Sequence, residues 1–295
     1  MAVKAVQKDL RRRLGKERTK TDWVWSYYVI REIRRDYLPN DLQGVEAKTR
    51  DLSRGFLFAY KKETTMPKQF DIVYVLAEED QHEELRYSLR SVEKNFPHRY
   101  VWFVGALPEG FKPDAHIKHV QQGPSKWAKI RSSMYQILDN PDVTEDFFWF
   151  NDDFFVMKPF EGEFVNYCDG SLERRVNELH SGEGMNAYTR TLYKAWQELM
   201  GMRCPAMNYD VHLPMLFNKE LAKSSINKCS SPQMRSIYGN INRISYIIHP
   251  DVKVYDLESV PEDPDFLSTN GKNFYEGAVG EYIRKAFPKK SRFEV

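Results

Sequence analysis

Cysteines and long apolar runs are both scarce in this sequence. The 295 residues contain three cysteines, and no two of them have the CxxC spacing of a zinc or redox motif. This count argues against a disulfide framework or a zinc site and indicates a reducing compartment, so we predict a cytoplasmic protein. No stretch approaches the ~20 consecutive apolar residues of a transmembrane helix. No apolar signal-peptide core follows the basic first residues, so we predict neither a membrane span nor secretion.

The chain has the size of one large α/β domain with an appendage, and its charge is divided between the two. Hydrophobic residues make up 41% of the chain, which is enough for a sizeable core. Residues 1–62 carry 16 Lys and Arg against 8 Asp and Glu, whereas the remainder carries 28 against 34. We predict a basic helical extension, residues 1–66, and a catalytic domain, residues 67–295, separated near Pro67.

The basic extension has two interpretations. A basic arm joined to an acidic body is typical of proteins with a polyanionic partner, such as DNA or an anionic membrane surface. Here the Lys and Arg residues are interleaved with acidic residues, and no motif combines aromatic and basic side chains for base stacking. The sequence therefore favours a solvated helix face and leaves a DNA partner open.

Strand and helix patterns alternate through the first half of the catalytic domain. The run from Phe70 to Leu76 is apolar and β-branched, and a helical pattern with one apolar face follows at residues 83–95. The same alternation continues in residues 100–105, 117–120, 126–138 and 146–150. This pattern predicts a GT-A-like, Rossmann-like α/β fold, with a mostly parallel sheet flanked by helices.

The second half of the domain is less regular. We predict helices at residues 191–200, 214–223 and 273–287, short strands at 244–249 and 253–257, and a polar connection at 227–242.

Asn151, Asp152 and Asp153 directly follow an apolar strand and form what we call the Asn-Asp-Asp turn. Ligands of parallel sheets bind beyond the carboxyl ends of the strands, so we expect this turn to contact a ligand. Adjacent carboxylates repel each other unless a cation compensates them, and Mg²⁺ or Mn²⁺ binds one or two carboxylates together with diphosphate oxygens. The pattern predicts a metal site at Asp152 and Asp153, with Asn151 contacting the donor. An acidic turn that caps the next segment is the alternative.

Four sequence blocks stand out in order along residues 70–295. They read FDIVYVLAEED, then ELRYSLRSVEKNFP with DFFWFNDDFFV, then DVHLPMLFNKELAKS, and finally FLSTNGKNFYEGAVGEYIRKAFPKKSRFEV. Together they resemble the Stealth family, whose members include bacterial capsule polymerases and the lysosomal-enzyme GlcNAc-phosphotransferase. The second block is the most specific match, and the basic extension has no counterpart in the resemblance.

The resemblance implies transfer of a sugar phosphate from a nucleotide sugar to an acceptor hydroxyl, on a GT-A-like nucleotide-binding core. By resemblance, Asp71 lies in the first-block strand near the nucleotide. Asp152 and Asp153 match the acidic site that holds the metal or the phosphate. A UDP-sugar is the donor that we expect.

Two residues of the second half complete the implied site. His212 matches the third-block histidine, a general base or phosphate contact, and an imidazole suits proton removal from a hydroxyl near neutral pH. Without the resemblance, a histidine between apolar residues is more often a core or capping residue. Arg235 matches the downstream arginine that pairs with phosphate, with Lys228 and Arg243 as alternatives.

The fourth block departs from the family pattern. It normally opens with an Asn-Asp pair whose Asp is functional, whereas this chain has Ser-Thr-Asn-Gly at residues 268–271. The missing carboxylate weakens the prediction of sugar-phosphate transfer and favours ordinary glycosyl transfer.

Two further cations are predicted to contact the donor. Arg86 and Arg90 are four residues apart on the first helix, and either could reach an anionic ligand; ion pairs with Glu83 and Glu93 explain them equally well. Lys129 lies in the first turn of the helix that follows a Gly-Pro-Ser turn, where the helix N-terminus favours a diphosphate. A solvated helix start is the alternative.

Two classes of function follow. The first is a transferase that uses a nucleotide-diphosphate sugar and delivers a glycosyl group to a polysaccharide or to modified DNA, with hexose-1-phosphate transfer as its alternative. The second is a non-catalytic carbohydrate- or nucleic-acid-binding relative, which the missing fourth-block carboxylate supports.

Overall fold

A computed structural model describes residues 70–78 and 82–295. The predicted basic extension, residues 1–66, and its suggested contact with DNA lie outside the described residues. Within those residues, no helix combines the length and the apolar character that crossing a membrane requires.

The described residues form nine strands and eight helices. The strands are β1 Asp71–Leu76, β2 Val101–Gly105, β3 Ala115–Lys118, β4 Asp146–Phe150, β5 Phe154–Val156, β6 Asn166–Cys168, β7 Met215–Asn218, β8 Tyr246–Ile248 and β9 Phe266–Ser268. The helices are α1 Glu83–Asn95, α2 Lys126–Asp139, α3 Leu172–Glu183, α4 Ala187–Gly201, α5 Lys219–Ile226, α6 Met234–Ile241, α7 Gly271–Glu276 and α8 Ala278–Ala286.

The central sheet has the strand order β3-β2-β1-β4-β7, and its first four strands are parallel. Ile72 and Tyr74 of β1 share an apolar cluster with α1, whereas Val73 shares one with α2, as the two-residue period of a strand requires. Both faces of the sheet are therefore covered, which is why its strands are continuously apolar. This confirms the predicted mixed α/β fold with a mostly parallel sheet flanked by helices.

The segment 214–223 was predicted as a helix and is instead a strand followed by a helix. Strand β7 pairs antiparallel with β4 at the edge of the sheet. Asn218 then caps α5, and its side chain accepts a hydrogen bond from the backbone N–H of Leu221 at 3.1 Å. The prediction was wrong because four residues of strand are too few for the hydrophobic period to distinguish from a helical start.

Helix α6 lies in the segment that was predicted as a polar connection. Its polar residues are buried and hydrogen bonded; Asn240, for example, donates to the carbonyl oxygens of Met207 and Ser236 at 2.8 and 2.7 Å. The apolar residues at positions 234, 237, 238 and 241 do follow the helical period, so the signal was present but was overlooked among the polar residues around it. This helix positions Arg235 behind the end of β4.

Segments from the C-terminal half pack beside the Asn-Asp-Asp turn. Strand β5, which follows the turn, pairs antiparallel with β9. Lys253 in turn forms an isolated parallel bridge with Ser268, the last residue of β9. Residues 251–255 are thereby brought to the carboxyl edge of the central sheet, although no regular strand forms at the predicted range 253–257.

Candidate functional site

A cavity of about 350 Å³ opens at the carboxyl end of β4. Its walls include the first turn of α2, Asn151 of the Asn-Asp-Asp turn, and Arg235 of α6. They also include His212 in a segment that we call the histidine loop, residues 210–213. This volume lies within the range of small-ligand sites. Three residues that the sequence singled out, Asn151, His212 and Arg235, therefore meet at one cavity.

Arg235 is buried behind this cavity, with 4% of its surface exposed. Its Nη1 atom donates to the carbonyl oxygens of Val211 and Leu213, at 3.1 and 2.8 Å. Its Nη2 atom donates to Oδ1 of Asn151 at 3.1 Å. Burial lowers the pKa of Arg235 to about 10, so the guanidinium stays charged near neutral pH. Arg235 thus joins the histidine loop to the Asn-Asp-Asp turn and places a positive charge between them.

His212 and Asp251 form a hydrogen-bonded pair at the cavity. The Nδ1 atom of His212 lies 2.9 and 2.7 Å from the two carboxylate oxygens, and its backbone N–H donates to Oδ1 at 3.1 Å. Burial alone raises the pKa of the Asp251 carboxyl, but the bonds from His212 outweigh burial and lower it. Because an ionised Asp251 accepts from Nδ1–H, the free lone pair of the ring lies on Nε2, which suits a general base.

Asp210 adds a buried carboxyl to the wall of the cavity. It accepts a hydrogen bond from the hydroxyl of Ser236 at 2.6 Å, and the charge of Arg235 acts on it. Burial nevertheless raises its pKa. Perturbed carboxyls of this kind cluster at functional sites, and the sequence analysis did not single out this residue.

Asp153 does not line the cavity; it follows Asn151 by two residues and is held by Lys253. The Lys253 Nζ atom is 2.8 Å from Oδ2 of Asp153, and the two side chains are 15% and 13% exposed. The hydroxyl of Ser268 donates to the same oxygen at 3.2 Å. Oδ1 of Asp153 is buried and has no hydrogen-bond partner within residues 70–78 and 82–295.

Asp153, one of the two predicted metal ligands, is already engaged in this arrangement. One oxygen of Asp153 is occupied by an ammonium, and the other is enclosed by protein. Among the residues that the structure describes, no group of three or more His, Cys, Asp or Glu side chains could hold a metal ion. The contacts of Asp153 therefore do not fit a resident divalent cation on this carboxylate, and the predicted site at Asp152 and Asp153, with its Mg²⁺ or Mn²⁺ dependence, stays a prediction for experiment.

Asp71 is far from the cavity, contrary to the prediction that it lies near the nucleotide. It begins β1 and pairs in register with Phe147, four residues before Asn151 and about 13 Å away at the rise of a strand. Both of its oxygens accept from Arg99, at 2.8 and 2.7 Å. Asp71 is thus a buried structural carboxylate at the amino end of the sheet. The block resemblance located its strand correctly but not which end of the strand carries the site.

Arg86 and Lys129 also lie away from the cavity walls. Arg86 donates to Glu83 and to the buried Glu294, both at 2.8 Å, so it holds the C-terminal segment against α1. Lys129 is exposed on α2, while Lys126, one turn earlier, lines the cavity. Residues three apart are neighbours on a helix, so the prediction identified the correct side of α2, but only the lysine at the start of the helix reaches the cavity.

The segment 251–255 contributes three residues that the sequence analysis missed. Asp251 orients His212, Lys253 pairs with Asp153, and Tyr255 lines the cavity. Val254 between them is buried in an apolar cluster. Polar side chains at every second position, with apolar ones between, were the available signal, and they are typical of an extended segment with one face toward a site.

No protein-family model matches this chain, and no curated protein matches it with significance. The Stealth resemblance therefore stays a prediction, and a function has to be argued from the geometry of the cavity.

Proposed function

We propose that the protein transfers a glycosyl group from a nucleotide-diphosphate sugar, a UDP-sugar, to an acceptor hydroxyl. The observation that carries the proposal is that His212, hydrogen bonded to Asp251, lines the same cavity as Arg235 and Asn151. A base oriented by a carboxylate, beside a buried positive charge, is the arrangement that attack by a hydroxyl on an activated sugar requires. The GT-A-like core and the Stealth resemblance are parts of the same proposal.

In this reaction the acceptor oxygen attacks the anomeric carbon while Nε2 of His212 removes its proton. The bond from that carbon to the diphosphate oxygen breaks, and its electron pair leaves with the nucleoside diphosphate. Asp251 stabilises the imidazolium that forms, as a carboxylate does in other carboxylate–histidine pairs. Lys126 and Arg175, which line the cavity, supply positive charge for the leaving diphosphate.

The aromatic walls of the cavity fit the remaining parts of such a donor. Trp127, Tyr188 and Tyr255 all line it. Flat rings stack on a nucleobase or on the apolar face of a sugar, and their polar atoms hydrogen bond at the rim. A donor screen by thermal shift with UDP-, GDP-, CMP- and TDP-sugars identifies the nucleotide, because a ligand stabilises the native state with the logarithm of its saturation.

Sugar-phosphate transfer at the same cavity is the second candidate, supported by the Stealth resemblance of the blocks. In that reaction the acceptor attacks the phosphorus next to the sugar, and a nucleoside monophosphate leaves. The Ser-Thr-Asn-Gly sequence at residues 268–271 lacks the functional carboxylate of that family, which favours glycosyl transfer. Chromatography of the released nucleotide separates the two, since glycosyl transfer releases a diphosphate.

His212→Ala tests the proposal directly. Turnover is expected to fall by about 10²- to 10⁴-fold, the usual contribution of a general base, while donor affinity changes little. Asp251→Asn should lower turnover in the same direction, and His180→Ala, an exposed histidine of α3, is the matched control. Equal losses of turnover and donor affinity in His212→Ala would make this residue a binding residue. Donor binding without turnover in the wild type would indicate a non-catalytic binding protein.

The acceptor is proposed as a polysaccharide, with modified DNA as the alternative that the basic residues 1–62 support. A DNA acceptor predicts binding that weakens steeply with salt, because phosphate contacts release counterions. Deleting residues 1–62 should then weaken DNA binding while donor hydrolysis continues. Salt-independent acceptor binding in both proteins would favour the polysaccharide.

A further inference from the structure

Two cationic side chains of this chain already compensate the Asn-Asp-Asp turn. Its carboxylates are Asp152 and Asp153. Lys253 forms an ion pair with Asp153, and the charge of the buried Arg235 acts on Asp153 as well. Divalent cations are held in proteins by surplus carboxylate charge. The ammonium in direct contact with Asp153 therefore already compensates this carboxylate, while the charge of Arg235 is shared with Asp210 and Asp251.

The contacts of Asp153 leave no accessible oxygen for a metal ion. Oδ2 accepts from Lys253 at 2.8 Å and from Ser268 at 3.2 Å. Oδ1 has essentially no solvent contact and no hydrogen-bond partner among the described residues. A divalent ion on either oxygen would have to displace the ammonium or lie beside it on the same carboxylate, where the two positive charges repel each other.

The backbone fixes Lys253 at this position. The N–H of Val254 donates to the Ser268 carbonyl at 2.9 Å, and the N–H of Ser268 donates to the Val252 carbonyl at 3.3 Å. Val254 is also buried in an apolar cluster with Leu267. Lys253 therefore faces the Asn-Asp-Asp turn because its backbone pairs with β9. Its side chain reaches Asp153 without a bound ligand.

We propose that the Lys253 ammonium takes the place of a divalent metal ion at the Asn-Asp-Asp turn, so that the donor binds and reacts without Mg²⁺ or Mn²⁺. The identity of the donor rests on the proposed function, whereas the absence of a metal site at Asp153 does not. Lys253 then holds the Asp153 carboxylate as a metal ion would, at 2.8 Å. The cavity cations Arg235, Lys126 and Arg175 supply the positive charge for the leaving diphosphate.

Manganese binding, followed by electron paramagnetic resonance with and without UDP, tests the proposal whatever the donor is. The wild type and Asp153→Asn should bind Mn²⁺ equally and weakly. Lys253→Met, which keeps the length of the side chain and removes its charge, should gain a Mn²⁺ site that a second change, Asp153→Asn, removes. Wild-type binding of one Mn²⁺ that Asp153→Asn abolishes overturns the proposal.

Turnover in EDTA is the second measurement. Wild-type turnover should change by less than about twofold on removal of divalent ions, whereas Lys253→Met should lose at least tenfold and recover in part with Mn²⁺. Lys253→Arg keeps the charge and should stay independent of metal. Lys158→Met, which breaks a surface lysine–aspartate pair elsewhere, is the matched control.

The outcomes distinguish a failure of this inference from a failure of the proposed function. A tenfold or greater loss of wild-type turnover in EDTA, or a folded Lys253→Met protein that keeps full turnover in EDTA and binds no Mn²⁺, overturns the inference. If no nucleotide sugar reacts or binds under any condition, the proposed function fails, and the manganese measurement still decides the inference. If Lys253→Met does not fold, the wild-type, Asp153→Asn and Lys253→Arg measurements decide it.

Discussion

Two buried carboxylates at opposite ends of the central sheet differ in how completely their oxygens are hydrogen bonded. Asp71, at the amino end of β1, accepts from Arg99 at both oxygens. Its Oδ2 atom also accepts from Nε1 of Trp102 at 2.9 Å and from the backbone N–H of Thr144 at 3.0 Å. This carboxylate is saturated, and nothing about it requires a ligand.

Asp153, which follows the carboxyl end of β4, is bonded at one oxygen only. Lys253 and Ser268 share Oδ2, and Oδ1 lacks a hydrogen-bond partner in the part of the chain that the structure describes. Buried polar atoms without partners are rare in native proteins and often mark functional sites. The contrast indicates that an acidic residue at the end of a strand marks a functional site when one of its oxygens lacks a hydrogen-bond partner. Burial and charge do not distinguish Asp153 from Asp71.

Asp153→Ala is the variant with the largest expected effect on this contrast. We expect turnover to be abolished while the protein still folds, because Lys253 and Asp153 keep 15% and 13% of their side chains exposed and the ammonium left without its partner can be hydrated. Initial rates of nucleotide release and circular dichroism check the two halves of this prediction.

The control for this variant is Asp153→Asn, which keeps the shape and the bond to Ser268. It should also lose turnover, since the ammonium of Lys253 is no longer held by a carboxylate. Full activity in Asp153→Ala would remove the Asn-Asp-Asp turn from the proposed site.

Asp71→Asn should show the opposite behaviour, a large loss of stability with unchanged turnover per folded molecule. Removing the charge leaves the guanidinium of Arg99, whose side chain is 32% exposed, without its charged partner, and losing hydrogen bonds to a charged group costs about 2 to 3 kcal/mol. Urea unfolding measures the free-energy change, and active-site titration gives turnover per folded molecule. A folded Asp71→Asn protein with normal stability and lost turnover would restore Asp71 to the donor site.

Glu294 provides a second saturated carboxylate, and its effect depends on pH. Burial alone raises the pKa of Glu294, but hydrogen bonds from Arg90, Ser291 and Arg86 lower it to about 2 from the ordinary 4.5. The unfolded chain therefore binds the proton more readily, and acid favours unfolding. The ionised Glu294 carboxylate contributes about 3 kcal/mol to the free energy of unfolding above about pH 4.5. This contribution is lost as the pH falls toward 2.

Urea unfolding of the wild type and Glu294→Gln at pH 6 and pH 3 checks this prediction. The wild type should be the more stable at pH 6, and the difference should shrink at pH 3. A difference that is the same at both pH values would show that Glu294 stabilises by packing and not by its charge.

The fold was largely predictable from the sequence because β1, α1, β2, α2 and β4 each carry a clear hydrophobic period. The central feature of the site, polar residues following β4, was predictable for the same reason. What periodicity does not give is the partner of each polar side chain. The sequence shows that Asp71 begins an apolar run and that Asp153 follows one, but only the structure shows that Arg99 binds both oxygens of the first and that Lys253 pairs with the second.

The second half of the site was harder to predict because its contacts join distant segments. His212 and Asp251 are 39 residues apart, and Asp153 and Lys253 are 100 residues apart. No local spacing relates such residues. Arg235 was identified through the block resemblance, but its hydrogen bonds to the histidine loop depend on α6, a helix of eight residues whose apolar period was overlooked.

The smallest predicted effect compares two cations on one helix. Lys126 lines the cavity at the first turn of α2, whereas Lys129 is exposed and does not line it. Lys126→Met should raise the KM for the donor by about tenfold, which corresponds to about 1.4 kcal/mol of lost attraction to the diphosphate. Lys129→Met removes the same charge three residues later and should change the KM by less than twofold.

This comparison distinguishes a direct contact between a lysine and the diphosphate from long-range electrostatic attraction. At low ionic strength both variants lose some long-range attraction for an anionic donor, but at physiological salt the Debye length is about 8 Å and only a close charge retains its effect. Steady-state kinetics at two salt concentrations therefore decides between them. Equal changes in the two variants at high salt would mean that the diphosphate lies elsewhere in the cavity, toward Arg175 and Arg235.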